Sequence, residues 1–492
     1  VTERLNVLVV LSDEQSWDTL GCTGNAAART PHVDELAAGG TVFDGLFTPF
    51  PLCCPSRTSL ITSMMPRHHD VLGNWRGIRP ELAERGIGAD FAAAGYHTIY
   101  CGKWHLPGTI PSRMGFADSV AIPAVINGKD RGRYIEAYRD HATAQGYELV
   151  EGNIENLTAA DLAGLRDPAT AHRTTAAIEL GDFLEPWQTD QFIASLDRAP
   201  DDRPWFAVCS FNAPHFPFAV PRPYDTLIDR TKITLPSTWH LGPDVLPAEV
   251  GRSHFADKLG DLDAAGWIDV IGHYYGLCSL VDDQLGRIVA ELRRRGELER
   301  TIIVYTSDHG DLMGAFRLVE KGHLLHYDEA MRVPLVISHP DGGASRNDAL
   351  LSMVDLGPTL AELAGVPIER PTDGLSYASH VGNADAPDRR AHVTGESLLW
   401  DLDSENAAGQ HRDPAGFDPA TDAINLSIRT RTLRYNWRSR DRDELADLAA
   451  PDPHPQAPRD DQAALVTQLR HTLADEVDDV FPWAADQLRQ PV

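Results

Sequence analysis

Two patterns of apolar residues alternate along most of the chain. Nearly continuous apolar runs recur at residues 5–12, 205–211 and 301–306. The first holds Leu5, Val7, Leu8, Val9, Val10 and Leu11, and the last reads Thr301-Ile302-Ile303-Val304-Tyr305-Thr306. Strands covered on both faces read this way, so the runs predict the centre of an α/β fold: a mixed, mostly parallel sheet flanked by helices. Other stretches carry helical spacing. Leu285, Ile288, Val289 and Leu292 predict a helix that stops in Arg293-Arg294-Arg295-Gly296, with cations on its last turn and a glycine stop. Thr30-Pro31-His32-Val33-Asp34-Glu35-Leu36 opens a shorter helix with Leu36 as its core contact, and residues 95–100 read as a turn and strand. Residues 107–200 are mixed polar and helical, with Tyr134, Tyr138 and Trp187, and carry no motif.

The pattern changes after about residue 380, where Gly, Asn, Asp and Pro accumulate through 382–387. Alternation with β-branched residues over 424–437 predicts a strand of a small antiparallel sheet. Residues 439–461 read as extended surface chain, and Leu465, Val466, Leu469 and Leu473 mark one face of a final helix. The expectation is a large domain over 1–380 and a small C-terminal α+β domain, antiparallel sheet plus helix, over 381–492.

The chemistry sits where the apolar runs stop. The first exits into Asp13-Glu14, and the last into Ser307-Asp308-His309-Gly310-Asp311. Carboxyl ends of parallel strands are where open α/β sheets bind ligands; helix capping by Asp is the structural alternative. Two such exits side by side would surround one cation with Asp13, Glu14, Asp308 and His309. Lys103 and His105, in Gly102-Lys103-Trp104-His105, stand at another exit, although an exposed lysine and a core histidine read the same way. Prolines bracket His215 in Ala213-Pro214-His215-Phe216-Pro217, which suits a positioned proton donor or a rigid turn. Cys53-Cys54-Pro55-Ser56-Arg57 reads as a helix start. Open N–H groups and Arg57 there favour an anion and would activate a cysteine. The alternative is that Cys53 and Cys54 are small buried apolar residues. Asn74 reads as a turn residue.

Composition narrows the partners. With 492 residues, 42% hydrophobic and 24% charged, the chain can bury a large core. Its net charge of −28, from 72 acidic against 44 basic residues, argues against a nucleic-acid or anionic-membrane binder. An anionic substrate would then need a locally positive pocket. The six cysteines show no CxxC pair and no zinc spacing, which fits reduced thiols. No apolar run has the length of a membrane span and no leader is visible, so the expectation is a cytoplasmic protein.

Taken in order, these motifs resemble the formylglycine-dependent sulfatases of the alkaline phosphatase superfamily. Cys-x-Pro-Ser-Arg is followed by Thr62, with Ser63 where the family usually has glycine. Gly102-Lys103-Trp104-His105, Pro214-His215-Phe216-Pro217, Lys321 and Met331-Arg332-Val333-Pro334-Leu335 follow, then the helix opening at Val354-Asp355-Leu356. The resemblance implies an alkaline-phosphatase-like sheet and a catalytic role for the large domain. It implies a sulfuric ester hydrolase that splits a sulfate monoester into an alcohol and inorganic sulfate. A formylglycine-generating enzyme would oxidise Cys53 to an aldehyde whose hydrate attacks sulfur. Asp13, Glu14, Asp308 and His309, with the residue made from Cys53, would hold a divalent cation. Arg57, Lys103 and Lys321 would neutralise the sulfate. His215 would protonate the leaving alcohol, His105 would take the proton that expels sulfate, and Asn74 would contact substrate. An oxygen-rich site favours Ca²⁺, with Mn²⁺ or Mg²⁺ as alternatives.

The family's usual paired aspartates and Asp-Asn are replaced here by Asp13-Glu14 and Asp308-His309. The Asp-His pair resembles the choline-sulfatase and phosphonate-monoester-hydrolase branches, which makes a phosphonate monoester or phosphodiester the alternative substrate. Small-molecule and glycan sulfates both fit, residues 107–200 would line the substrate mouth, and a homo-oligomer stays open.

Overall fold

The computed structural model describes residues 4–490 apart from 75, 123–135, 151–156, 168–169, 171, 252–258, 260–261, 400–421 and 451–452. Eight strands form the main sheet, in the order Ser345–Asn347, Thr41–Phe43, Leu335–Ser338, Thr301–Ser307, Asn6–Ser12, Trp205–Ser210, His97–Lys103 and Asp118–Ile122. Leu335–Ser338 runs antiparallel to both its neighbours, and every other pairing is parallel. The three aliphatic runs become the adjacent central strands, buried throughout.

Alternation along these strands feeds two cores. Leu8, Val10, Ala207, Cys209, Ile303 and Tyr305 face the helices Ala264–Arg295 and Leu184–Arg198. Val7, Val9, Phe206, Val208, Ile302 and Val304 face the helices Cys53–Thr62, Ile87–Ala93 and Leu356–Leu363. Register then places the site: Ser12 pairs with Ser307, and Gly102 with Ser210, so four neighbouring strands end level. Asp13, Asp308 and Lys103 leave the sheet at one height for that reason.

A separate antiparallel sheet follows, Val393–Leu399, Ala423–Arg429, Leu433–Arg438 and Glu444–Asp447 in sequence order, backed by the helices Ala463–Val477 and Pro482–Leu488. Several local expectations change. The single strand expected over 424–437 is two strands joined at residues 430–432. The expected surface chain contains Glu444, which is buried and bonds Arg438 at 2.8 Å. Helix Pro31–Gly39 buries Val33 and Ala37, while Leu36 is only partly covered, as is Leu465 in its helix. The arginine run behaves as a helix end. Gly296 closes the helix at φ 68°, and Arg294 and Arg295 pair with Glu291 and Asp197. Within 107–200, helices form at Glu136–Ala144, Ala159–Arg166 and Leu184–Arg198, and Tyr134 lies outside the described residues. Among the described residues no helix is long and apolar enough to cross a membrane, and the six cysteines are unpaired.

Candidate active site

Helix Cys53–Thr62 points its first turn at the level strand ends, and all ten of its residues are buried. Its side chains knit it to the sheet. Ser56 Oγ donates to the Asp308 carbonyl at 2.5 Å. Arg57 Nε donates to Asp308 Oδ2 at 2.7 Å, and its Nη1 donates to the Lys103 carbonyl and to Ser210 Oγ at 2.9 and 2.7 Å. Arg57 Nη2 makes no hydrogen bond and stands 3.4 Å from Asp13 Oδ2. At the far end of the helix Ser63 takes φ 57°, ψ 31°, a left-handed conformation that glycine adopts without strain.

Four potential ligand atoms converge on the helix start. Those of Asp13, Cys53, Asp308 and His309 all lie within 4.8 Å of one another, and all four residues are buried. Cys53 Sγ is 3.8 Å from Asp13 Oδ1 and 3.2 Å from His309 Nε2. His309 Nδ1 bonds the Gly310 carbonyl at 2.9 Å, so Nδ1 carries the proton and Nε2 presents its lone pair to the cluster. Two carboxylates, an imidazole lone pair and a group at position 53 form a donor set that fits a divalent cation.

Glu14 takes a neighbouring place. With φ 69°, it donates its amide to Asp308 Oδ1 at 3.1 Å and turns its carboxylate toward Lys321. Its Oε2 accepts from Lys321 Nζ at 2.5 Å and from the Phe216 amide at 3.2 Å, while its buried Oε1 has no partner. Glu14 groups with Asp13 and His215 rather than with the Cys53 cluster.

Charge sets the protonation pattern. Burial would raise the Asp13 carboxyl, but the cations Lys103, which it bonds directly, and Arg57 hold it well below the usual range. Burial would lower Lys321, and Glu14 more than reverses this, so the ammonium stays charged. Burial, Lys321 and Lys103 push His215 well down, and burial, Lys103 and Arg57 do the same to His105. Both rings are therefore neutral. His215 Nδ1 bonds the Phe216 carbonyl at 2.5 Å, leaving the Nε2 lone pair 3.0 Å from Lys321 Nζ. The Cys53 thiol is pushed up to about 12, first by burial and then by Asp13. The activated thiolate expected at a helix start is therefore absent: loss of water and a neighbouring carboxylate outweigh the helix end.

The structure gathers Asp13, Glu14, Cys53, Arg57, Lys103, His215, Asp308, His309 and Lys321 at one end of the sheet. His105 follows Lys103 with φ 55° and a buried Nδ1 that has no partner. Asn74 Oδ1 accepts from the Cys54 amide at 3.1 Å, a cap on the open helix start. Sequence reasoning missed Ser210, although it ends an aliphatic run and the strand-exit rule could have found it. It also missed Tyr274, whose hydroxyl donates to the Glu14 carbonyl at 2.8 Å, and Glu185, whose Oε1 accepts from the Ala213 amide at 2.9 Å. Nothing in their local sequence marks either one.

The sequence model of the family described as "Sulfatase" matches residues 5–366. Over 392 residues the chain is 29% identical to an uncharacterized sulfatase of Escherichia coli, covering 75% of this chain and 69% of that one. It is 26% identical over 469 residues to a choline-sulfatase of Rhizobium meliloti, covering 91% and 81%. The solved phosphonate monoester hydrolase of Silicibacter pomeroyi shares the fold with a TM-score of 0.78 at 22% identity, covering 97% of this chain and 96% of that one.

Proposed function

The chain belongs to the sulfatase family of sulfuric ester hydrolases, and on that premise we propose that it hydrolyses a small-molecule or glycan sulfate monoester to an alcohol and inorganic sulfate, using a formylglycine made from Cys53 and a divalent cation. The observation that carries this reading is the water-poor set of Arg57, Lys103 and Lys321 around a cluster of Asp13, Cys53, Asp308 and His309. In a chain of net charge −28, these three buried cations are matched by the carboxylates of Asp13, Asp308 and Glu14, and a divalent cation in the cluster would give the pocket the positive excess that an anionic ester needs.

Hydrolysis adds water across the S–O bond. The attacking oxygen stays on sulfur, and the leaving oxygen takes its electron pair and a proton. Asp13, Asp308, His309 and the residue at position 53 would hold the cation, which would supply positive charge to the sulfate oxygens and acidify the attacking hydroxyl. Ca²⁺ is the first assignment, and the His309 imidazole brings Mn²⁺ in beside Mg²⁺ as alternatives. Cys53 needs oxidation by a formylglycine-generating enzyme, because a thiol held protonated is a poor nucleophile.

This chain's own groups do the rest. Lys103 Nζ, 4.0 Å from Cys53 Sγ, and Arg57 Nη2 orient and neutralise the sulfate. The Lys321 ammonium, 3.0 Å from the His215 Nε2 lone pair, holds the proton that this pair supplies to the leaving oxygen. Neutral His105 takes up the proton released when sulfate departs.

Mass spectrometry of the peptide bearing Cys53, which is lighter as the aldehyde, and turnover of p-nitrophenyl sulfate test the reading together. Full conversion with no turnover of any sulfate ester would sink it. A second reading rests on the Asp308–His309 pair and the phosphonate monoester hydrolase fold, and places phosphonate monoesters or phosphodiesters in the same site. A phenylphosphonate ester turned over in place of the sulfate would favour it.

A further inference from the structure

His215 meets Lys321 and also lines a cavity of about 30 Å³ walled by Tyr138, Leu157, Glu185 and Leu277. Tyr138, Leu157 and Glu185 come from the 107–200 segment. Leu184–Arg198 starts one residue before Glu185, so the carboxylate sits in the first turn of a helix, where negative charge is favoured. Glu185 is 2% exposed. Its Oε1 is used by the Ala213 amide, and its Oε2 has no partner among the described residues. A buried carboxylate oxygen left unpaired against leucine and tyrosine is costly unless something donates to it. The cavity has room for one group about the size of a water.

We propose that Glu185 selects the leaving alcohol, by accepting at Oε2 a hydrogen bond from a hydroxyl or ammonium group which that alcohol carries. The placement fits, because His215 delivers the proton to the leaving oxygen and lines this cavity, so the alcohol departs beside Glu185. Burial raises the carboxyl to about 7 against the backbone amides that bond it, and a donor arriving with the substrate would offset that cost. Through Oε1 and Ala213, Glu185 also steadies the His215 loop. The conservative test is therefore Glu185→Gln: its oxygen can keep the Ala213 bond while its NH₂ replaces the free acceptor with a donor.

The inference rests on the sulfate-ester reading, and two measurements keep their failures apart. Alkyl sulfates of two to four carbons ending in ammonium, hydroxyl or methyl are compared as substrates of the wild type and of Glu185→Gln. In the wild type, kcat/KM for the ammonium or the hydroxyl ester should exceed that of the matched methyl ester by about ten- to a hundredfold. The better of the two names the donor, and Glu185→Gln should bring the ratio close to one. Equal rates for all three end groups in the wild type would mean that water alone fills the cavity, and would overturn the proposal. So would a Glu185→Gln loss that strikes donor and methyl esters alike, the mark of a purely structural role. The same esters are titrated calorimetrically against Cys53→Ala, which cannot turn them over, and should rank by donor in affinity. If they rank there while the wild type hydrolyses none, the hydrolase reading fails and the selection of a leaving alcohol fails with it, leaving only the Glu185 contact to a bound donor. If they bind equally, this one fails whatever the turnover.

Discussion

The two ends of the main sheet make opposite use of charge. At the amino ends of the strands lies a cavity of about 270 Å³, lined by His32, Glu35, Arg293, Glu299 and His339. Its charges are wet: Arg293 and Glu35 stand 3.9 Å apart with side chains 61% and 74% exposed. At the carboxyl ends Arg57 meets Asp308 at 2.7 Å with side chains 1% and 0% exposed. The same Coulomb attraction is worth about 1 kcal/mol across water and several times that where water is excluded. A roomy cavity alone is therefore no guide to the candidate site. Charge held out of water, with valences left over at Arg57 Nη2, Glu14 Oε1 and His105 Nδ1, marks the carboxyl ends as the candidate.

The contrast can be broken by substitution, and the largest effect belongs to the cation cluster. Cys53→Ala, or Asp308→Asn with a chelator as its parallel, should cost about 10⁴-fold or more in kcat on any ester that the wild type turns over. Activity of Cys53→Ala within tenfold of wild type would remove position 53 from the chemistry. Next comes Lys321→Met. It should lower kcat about 10²- to 10⁴-fold on alkyl sulfates, whose leaving oxygen needs a proton, and far less on p-nitrophenyl sulfate, whose leaving group does not. An equal loss on both would show that Lys321 acts on the sulfate and not on the leaving group.

A third effect is one of stability. The Glu185 carboxyl is raised in the fold from 4.5 to about 7, so the folded state binds the proton more tightly than the unfolded one. Its stabilising contribution is complete below pH 4.5 and is lost as pH rises through about 7. Across that window the wild type should lose about 3 kcal/mol relative to Glu185→Gln, read from denaturant midpoints at several pH values. Parallel pH curves would remove the buried-acid account of Glu185. Smaller still, Ser63→Gly should stabilise by no more than about 1 kcal/mol, because relief of the left-handed conformation is offset by the freer unfolded chain. Smallest is Arg293→Ala, at the wet end, which should change stability by less than about 0.5 kcal/mol and leave kcat unaltered.

What the sequence makes legible follows the same division. Asp13, Asp308 and Lys103 can be read because each ends an apolar run, and a run fixes both the strand and its exit. Cys53 and Arg57 can be read because their spacing is a family motif. The hairpin at residues 430–432 cannot, because Thr430-Arg431-Thr432 contains none of the usual turn formers; the chain closes there through the Thr430 amide on the Leu433 carbonyl at 2.9 Å. Glu444 reads as solvated because its partner Arg438 stands on the next strand, where charge patterning does not show pairing. Leu36 loses its expected place because Val33 and Ala37 occupy the buried face of the helix and leave it at the edge of the core. The Cys53 thiol misleads for an electrostatic reason: motif position says reactive, and burial says inert.

Arg57 is engaged at three points, by Asp308, the Lys103 carbonyl and Ser210 Oγ, which tie helix Cys53–Thr62 to three strand ends at once. A fastener of that kind would give the proposed anion cradle a fixed bore. A mutant at this position would register collapse and lost catalysis as a single number, so the two lysines are the sharper probes. On the proposed function, a seat that cannot widen would not sort its guests by size, and the sorting would fall to the wall that carries Glu185, where the departing half of the ester would leave.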